Sequence, residues 1–420
     1  MQLWRDLEPG PRRAFVALLL AVVLSSAGFG AIFPILPLLV TGRGNGVEIV
    51  AVMAAAFIIT SFALQYPMAA LADRFGRRRV LTAALLLNAG AALLYLLHGG
   101  PPLLIGARLL QGVADGAAEP AARGLVSDLV PDERRGEAFG ALASAEMLGI
   151  LVGPLFGGGI AAVLPLEYVF ILEAAVSLAA GVSFLLFTRR LPRAVRAASA
   201  AALGAIPAGF RRLLTVDMVG LGLLVAAGTY LFGLYDTVWV LFMQKLGAGA
   251  ALTGLSITVF AAPLLVLGPI AGRLGDRYGR RVPAVVCTLA VGVIAATYPL
   301  LPGIPWVMAM GAVEGTMFAF IDANLYALIA AAAPEGMEAR AQAAAGVLGI
   351  AGTMVAPALA AFLWTRDYHL AFYSGAAFVL VFGLVGAVLV LRPGSGVGSR
   401  RVPSTRMPAI AEPRAPAVSE

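Results

Sequence analysis

The chain of 420 residues has one cysteine, one lysine and two histidines, and only 13% of it is charged. With a single thiol, Cys287, no intrachain disulfide can form. The histidines, His98 and His369, lie at the ends of separate apolar runs, and no Cys/His cluster has the spacing of a metal site. A nucleophile–base set of the kind a covalent enzyme needs is equally missing. The shortage of charge excludes more than these chemistries. Sixty per cent of the residues are hydrophobic and the mean hydropathy is +0.91. A soluble domain of this length would lack the polar surface to cover itself.

What is present is a series of runs long enough to cross a bilayer as helices. Twelve can be drawn: Ala14–Val40, Val47–Leu71, Val80–Leu97, Pro102–Leu129, Glu137–Leu164, Tyr168–Phe187, Met218–Met243, Ala251–Leu274, Val282–Leu301, Trp306–Ala332, Arg340–Leu363 and Tyr368–Leu391. Glycines and prolines inside them are tolerated in membrane helices. Pro34 and Pro37 are expected to bend the outer half of the first run. That run is long enough to stay as a span, so no cleaved leader is expected.

The net charge of +7 does not point to nucleic acid, because its distribution follows topology. Of 29 arginines, only Arg43 and Arg366 fall in the odd-numbered loops, with Lys245, while Arg108 and Arg123 lie within the fourth run. This bias predicts that both termini face the cytoplasm. Residues 1–187 and 218–392 then form two halves of six spans each. Residues 188–217, arginines among alanines, are expected to be a surface amphipathic linker, and the Pro/Ser/Arg-rich tail 393–420 to be disordered.

The halves are a duplication. LADRFGRRRV at Leu71–Val80 returns as LGDRYGRRV at Leu274–Val282. Adding 203 to a residue number carries Asp73 to Asp276, Tyr95 to Tyr298, Gly112 to Gly315, Gly149 to Gly352 and Pro154 to Pro357. Each copy of the motif reads as a short basic hairpin. Its glycine, Gly76 or Gly279, permits the positive φ of a tight turn. Its Asp is available to helix N-terminal amides, and its arginines are expected to stay in water facing anionic lipid.

This hallmark resembles the loop Gly-x-Leu-Ala-Asp-Arg-x-Gly-Arg-Lys of the major facilitator superfamily. The second copy matches from Gly272; the first has Ala69 at the opening position. The resemblance implies an all-α membrane protein of twelve transmembrane helices in two pseudo-symmetric halves, acting as a monomer in a bacterial inner membrane. A ligand site is implied between the halves, lined by the first and fourth helix of each. It further implies an inner gate. Asp73, Arg74, Arg77 and Asp128, with Asp276, Arg277 and Arg280, would latch the halves, Asp73 facing the eleventh helix.

The fourth run carries Arg108, Gln111, Gly112, Asp115 and Glu119 at offsets of 3, 4, 7 and 11. At 100° per residue these share about a third of the helix circumference. Such a stripe must face protein interior or a water-filled cavity. One reading is structural, an Arg108–Asp115 pair that neutralises itself. The other is functional, with Glu119 and its repeat counterpart Asp322 as proton-coupling acids and Asp236 and Glu314 in reserve. Arg108-Leu-Leu-Gln-Gly112 also resembles the superfamily motif Arg-x-x-Gln-Gly of proton-coupled members. Glu146 and Glu173 have no obvious partner, and Glu173 reads as a peripheral structural acid. Lone amides such as Gln65 and Asn88 read as interhelical hydrogen-bond partners.

In the fifth run, Gly149, Gly153, Pro154, Gly157 and Gly158 offer a groove to one neighbouring helix. They resemble the motif Gly-x-x-x-Gly-Pro-x-x-Gly-Gly of drug:proton antiporters. The resemblance implies a proton-coupled exporter of small lipophilic neutral or cationic compounds, without a cofactor. Its partners would be a small molecule, protons and the bilayer. A sugar or metabolite efflux permease is the alternative within transport. A non-transporting membrane scaffold is the alternative outside it, and costly buried acids argue against the scaffold.

Overall fold

Apolar runs in a bilayer must satisfy their backbone groups internally, and helices do so within one segment. The computed structural model describes residues 9–131, 134–188, 215–333 and 338–393, and within them every expected run is a helix. We label them α1 (Pro9–Ile32, resuming as Leu36–Gly42), α2 (Val47–Phe75), α3 (Arg77–Leu94), α4 (Pro101–Leu129), α5 (Arg135–Val163) and α6 (Glu167–Thr188). The second half follows as α7 (Val216–Lys245), α8 (Ala250–Tyr278), α9 (Arg281–Thr297), α10 (Ile304–Ala332), α11 (Glu338–Trp364) and α12 (Tyr368–Leu391). No strand occurs among the described residues. Ten of the helices are long and apolar enough to cross a membrane. The other two are α3, which starts on three arginines, and α4, which carries the charged stripe. The linker arginines, the tail and the loop acids Asp132 and Glu133 lie outside the described residues.

Proline explains the break in α1. Pro34 has no N–H and its ring crowds the preceding turn, so the helix stops at Ile32 and restarts with Pro37 in its new first turn. The duplicated motif is a correction to the expected hairpin. Helix α2 runs unbroken through Asp73 to Phe75, a single Gly76 turns the chain at φ 98°, and α3 begins at Arg77. Gly279 does the same at φ 97°. The arginines therefore belong to helix ends, where their side chains can fold back on the protein.

The duplication survives in three dimensions. Helices α2 and α8 start and end 203 residues apart, and so do α4 and α10. In the first half α1 packs on α5 and α6, α2 on α4, and α3 on α4 and α6. The same pairs recur as α7 on α11 and α12, α8 on α10, and α9 on α10 and α12. The halves meet along α5 against α8 and α2 against α11.

Those two seams lie toward the end of the molecule opposite the arginine-rich turns. Thr258 Oγ1 donates to the Leu151 carbonyl at 2.9 Å. Further along, a Cβ on Gly158 would sit 2.5 Å from the Ala250 carbonyl oxygen and 3.1 Å from Gly254 Cα. The repeat-related seam packs Ala361 with Val47 and Ala51. At the arginine-rich end, by contrast, Phe75 and Tyr278 are exposed. The halves are closed against each other at the far end.

Gly158→Leu therefore overpacks the closed seam, at a cost of about 1–3 kcal/mol. If the far end can open, the variant shifts the balance toward opening by about five- to 150-fold. The check is labelling of a cysteine at Phe232, in a Cys287→Ser background, by an impermeant thiol reagent applied from the far side. Labelling should accelerate; an unchanged rate would mean that the glycine contact does not hold this seam shut.

Candidate functional site

Where the halves face each other lies a cavity of about 460 Å³. Phe29, Phe57, Phe232, Tyr235, Trp239, Phe260 and Tyr298 supply aromatic walls, and Arg108, Asp236, Glu314 and Asp322 supply the charge. Besides the four helices expected to line it, α2, α5, α8 and α11 contribute Phe57, Ile150, Ser256 and Thr353.

Its carboxylates differ in how they are held. Glu314 is 1% exposed and accepts from Tyr298 Oη at 2.6 Å and Tyr235 Oη at 2.8 Å. Trp239 stands edge-on to Tyr298 at 5.0 Å and donates to Ser256 Oγ at 3.0 Å. Neither Asp236 nor Asp322 makes a hydrogen bond or ion pair among the described residues, and Asp322 is exposed to the cavity. Arg108 is 3% exposed, with its guanidinium 4.5 Å from the Phe57 ring centre and 5.4 Å from that of Phe29.

A second cavity of about 350 Å³ lies within the first half, sharing Phe29, Phe57 and Ile150 as walls. It takes Ser25, Ser26, Asn88, Gln111, Asp115, Glu119 and Glu146. The α4 stripe is thus divided, with Arg108 on the central cavity and its acids on the other. This corrects one expectation. There is no Arg108–Asp115 pair: Asp115 accepts from Ser61 Oγ at 2.6 Å, while Arg108 turns to the aromatic rings and to Gln111. Glu119 is paired within α4. Arg123, one turn on, reaches it at 2.7 Å, and Gln65 Nε2 donates to it at 2.6 Å. Glu119 and Asp322, equivalent by repeat, open on different cavities.

Sequence reasoning named Glu173 as a structural acid but missed its partners. It is fully buried and accepts from Asn88 Nδ2 and from Gln111 Nε2, each at 3.2 Å. Asn88 also donates to Ser177 Oγ at 3.0 Å. Gln111 Oε1 in turn accepts from Tyr95 Oη at 2.9 Å and Arg108 Nη1 at 3.1 Å. The available signal was the pair Tyr95 and Gln111, which stands 203 residues before Tyr298 and Glu314.

At the arginine-rich end, Arg77 bridges Asp73 at 2.8 Å and Asp128 at 2.9 Å, and donates to the Gly124 carbonyl at 2.6 Å. Asp276 pairs with Arg280 in the second half, where Ala331 stands at the position equivalent to Asp128. Several expectations are corrected here. Asp73 accepts from the Arg77 side chain rather than from backbone amides or α11. Arg77 and Arg78 are engaged by protein groups, Arg78 donating to the Thr188 carbonyl. Only Arg74 and Arg79 of this turn are exposed, Arg74 stacking on Phe75 as Arg277 does on Tyr278, both at 5.3 Å.

The α5 glycines serve two neighbours, not one. A Cβ on Gly149 would lie 2.7 Å from the Val23 carbonyl oxygen, one on Gly153 2.8 Å from Gly30 Cα, and one on Gly157 2.7 Å from Ala31 Cα, all on α1. Gly158 faces α8 instead. Pro154 packs its ring against Gly30, where an added Cβ would lie 3.1 Å from Pro154 Cδ.

This architecture can be set beside known proteins. The sequence profile of the Major Facilitator Superfamily matches residues 18–240 and 221–414. The chain belongs to the Major Facilitator Superfamily. Members of this superfamily are transporters, not enzymes. The superfamily chain is 24% identical over 407 residues to multidrug resistance protein 2 of Bacillus subtilis, covering 88% of this chain and 93% of that protein. It is 28% identical over 286 residues to the class C tetracycline resistance protein of Escherichia coli, covering 63% and 69%. Among solved structures, a D-xylose–proton symporter shares the superfamily fold with a TM-score of 0.73 at 15% identity, covering 91% and 98%.

The tyrosines around Glu314 give a stability test of this site. Removing a donor from a buried acceptor costs about 1–3 kcal/mol. Tyr298 is fully buried and Tyr235 only partly so. In detergent, Tyr298→Phe should lower the unfolding temperature more than Tyr235→Phe, because water in the cavity can replace the second donor. Equal or inverted shifts would show that burial does not set the cost.

Proposed function

We propose that this transporter exports small lipophilic neutral or cationic compounds in exchange for protons, by alternating access. The observation that carries the reading is the central cavity, in which aromatic walls enclose three carboxylates and one arginine. Aromatic faces and excess acid favour an apolar cation. The relatives named for multidrug and tetracycline resistance support the same substrate class. The arginine bias supports a cytoplasmic location for the arginine-rich end and both termini in a bacterial inner membrane. The closed seams are then on the outer side, and the Asp73–Arg77–Asp128 cluster is the inner gate.

Proton coupling needs an acid that is ionised in one state and neutral in the other. Asp322 is the leading choice, since it is bare, on the central cavity and near mid-helix. Glu119 ranks below it because Arg123 and Gln65 hold it; Asp236 and Glu314 remain in reserve. Opposite protonation in the two states supplies the coupling free energy.

The experiment is transport in proteoliposomes under an imposed pH gradient, with tetraphenylphosphonium, ethidium and xylose as probes. The cations should accumulate in the acidic compartment, whereas movement of xylose alone would overturn the drug reading. Asp322→Asn should keep cation binding but lose uphill accumulation, and Glu119→Gln should lose less of it. Concentrative export by Asp322→Asn with wild-type pH dependence would place the coupling acid elsewhere.

A further inference from the structure

Arg108 is a full charge at 3% exposure with no carboxylate at ion-pair distance among the described residues, and its Nε is buried without an acceptor. Its guanidinium lies against the wall, on the Phe57 and Phe29 rings, at the edge of the central cavity. There it meets Gln111 Oε1 at 3.1 Å. A guanidinium only donates, so the Gln111 amide must show it oxygen and send its NH₂ the other way. On that other side stands Glu173, accepting Nε2 at 3.2 Å. An amide has two unlike ends, and Glu173 fixes which end faces the cation.

The repeat supplies the contrast. Glu314 occupies the position of Gln111 and accepts from Tyr298 as Gln111 accepts from Tyr95. A carboxylate has acceptors at both ends and needs no orienting. Accordingly, the positions equivalent to Asn88, Glu173 and Ser177 are Val291, Ala376 and Leu380. The first half alone keeps a polar triad behind its amide. A Cβ on Gly28 of α1 would lie 3.2 Å from Glu173 Cγ, so this glycine lets the acid approach.

We infer that Glu173 is a positioning residue: through Gln111 it holds Arg108 against the wall, out of the space a substrate would occupy in the central cavity. The inference does not depend on which compound is carried or on what drives it. The test is the rate of Arg108 modification by phenylglyoxal in the purified full chain, read by peptide mass spectrometry, with Arg77 in the same half as control. Glu173→Ala should raise Arg108 labelling at least about tenfold, the effect expected from losing one hydrogen bond to a charged group. Glu173→Gln keeps an oxygen in place and should restore protection. Gln111→Glu/Glu173→Ala, the second half's own arrangement, should also be protected, and it carries the test should the single alanine variant not fold. The inference is overturned by unchanged labelling in Glu173→Ala, by a double variant with Arg108 labelled tenfold faster than wild type, or by a parallel rise at Arg77, which would mean general loosening.

Discussion

A charge inside hydrocarbon is costly enough that each one must face a protein partner or water. That constraint arranges this molecule. Glu119 has Arg123 and Gln65, Asp115 has Ser61, Glu173 has Asn88 and Gln111, and Glu314 has two tyrosines. Among the described residues three spanning acids lack such partners: Glu146 lies on the cavity of the first half, and Asp236 and Asp322 on the central one. The partnered acids hold helices together. The two bare ones on the central cavity are where a carried cation or a proton can be met, which is why the functional reading rests on them.

Duplication gives the two halves one backbone plan and different interiors. Asp115 in the first half is replaced by Phe318 in the second, which packs on Phe232 and Phe260 at ring distances of 5.0 and 5.7 Å. Asn88 is replaced by Val291 and Gln111 by Glu314. The first half therefore keeps a polar cavity of its own, where the second places aromatic packing against the central one. The seams differ in the same sense. Gly158 lets α5 approach α8 at backbone distance, while Ala361 meets α2 through side chains.

Much of this was legible in the sequence because two periodicities write it there. Apolar runs gave twelve helices, and the constant offset of 203 located the repeat partners Gly76 and Gly279, whose φ values agree within 1°. The stripe on α4 marked Arg108, Gln111, Asp115 and Glu119 as inward-facing. What a stripe cannot tell is which of two cavities each residue meets, because that depends on where α1 and α2 pack. The partners of Glu173 were unreadable for a related reason. Its partners come from α3 and α4, so no local pattern joins them. The hairpin expectation failed because a single glycine with positive φ suffices to turn the chain, leaving both flanks helical.

The central claim is that a cation and a proton compete through Asp322 in one cavity. Competition predicts that binding of tetraphenylphosphonium to the purified protein, in weakly buffered detergent, releases protons, and that Asp322→Asn binds it without release. Binding by the wild-type protein with no proton release, or equal release by the variant, would contradict the account.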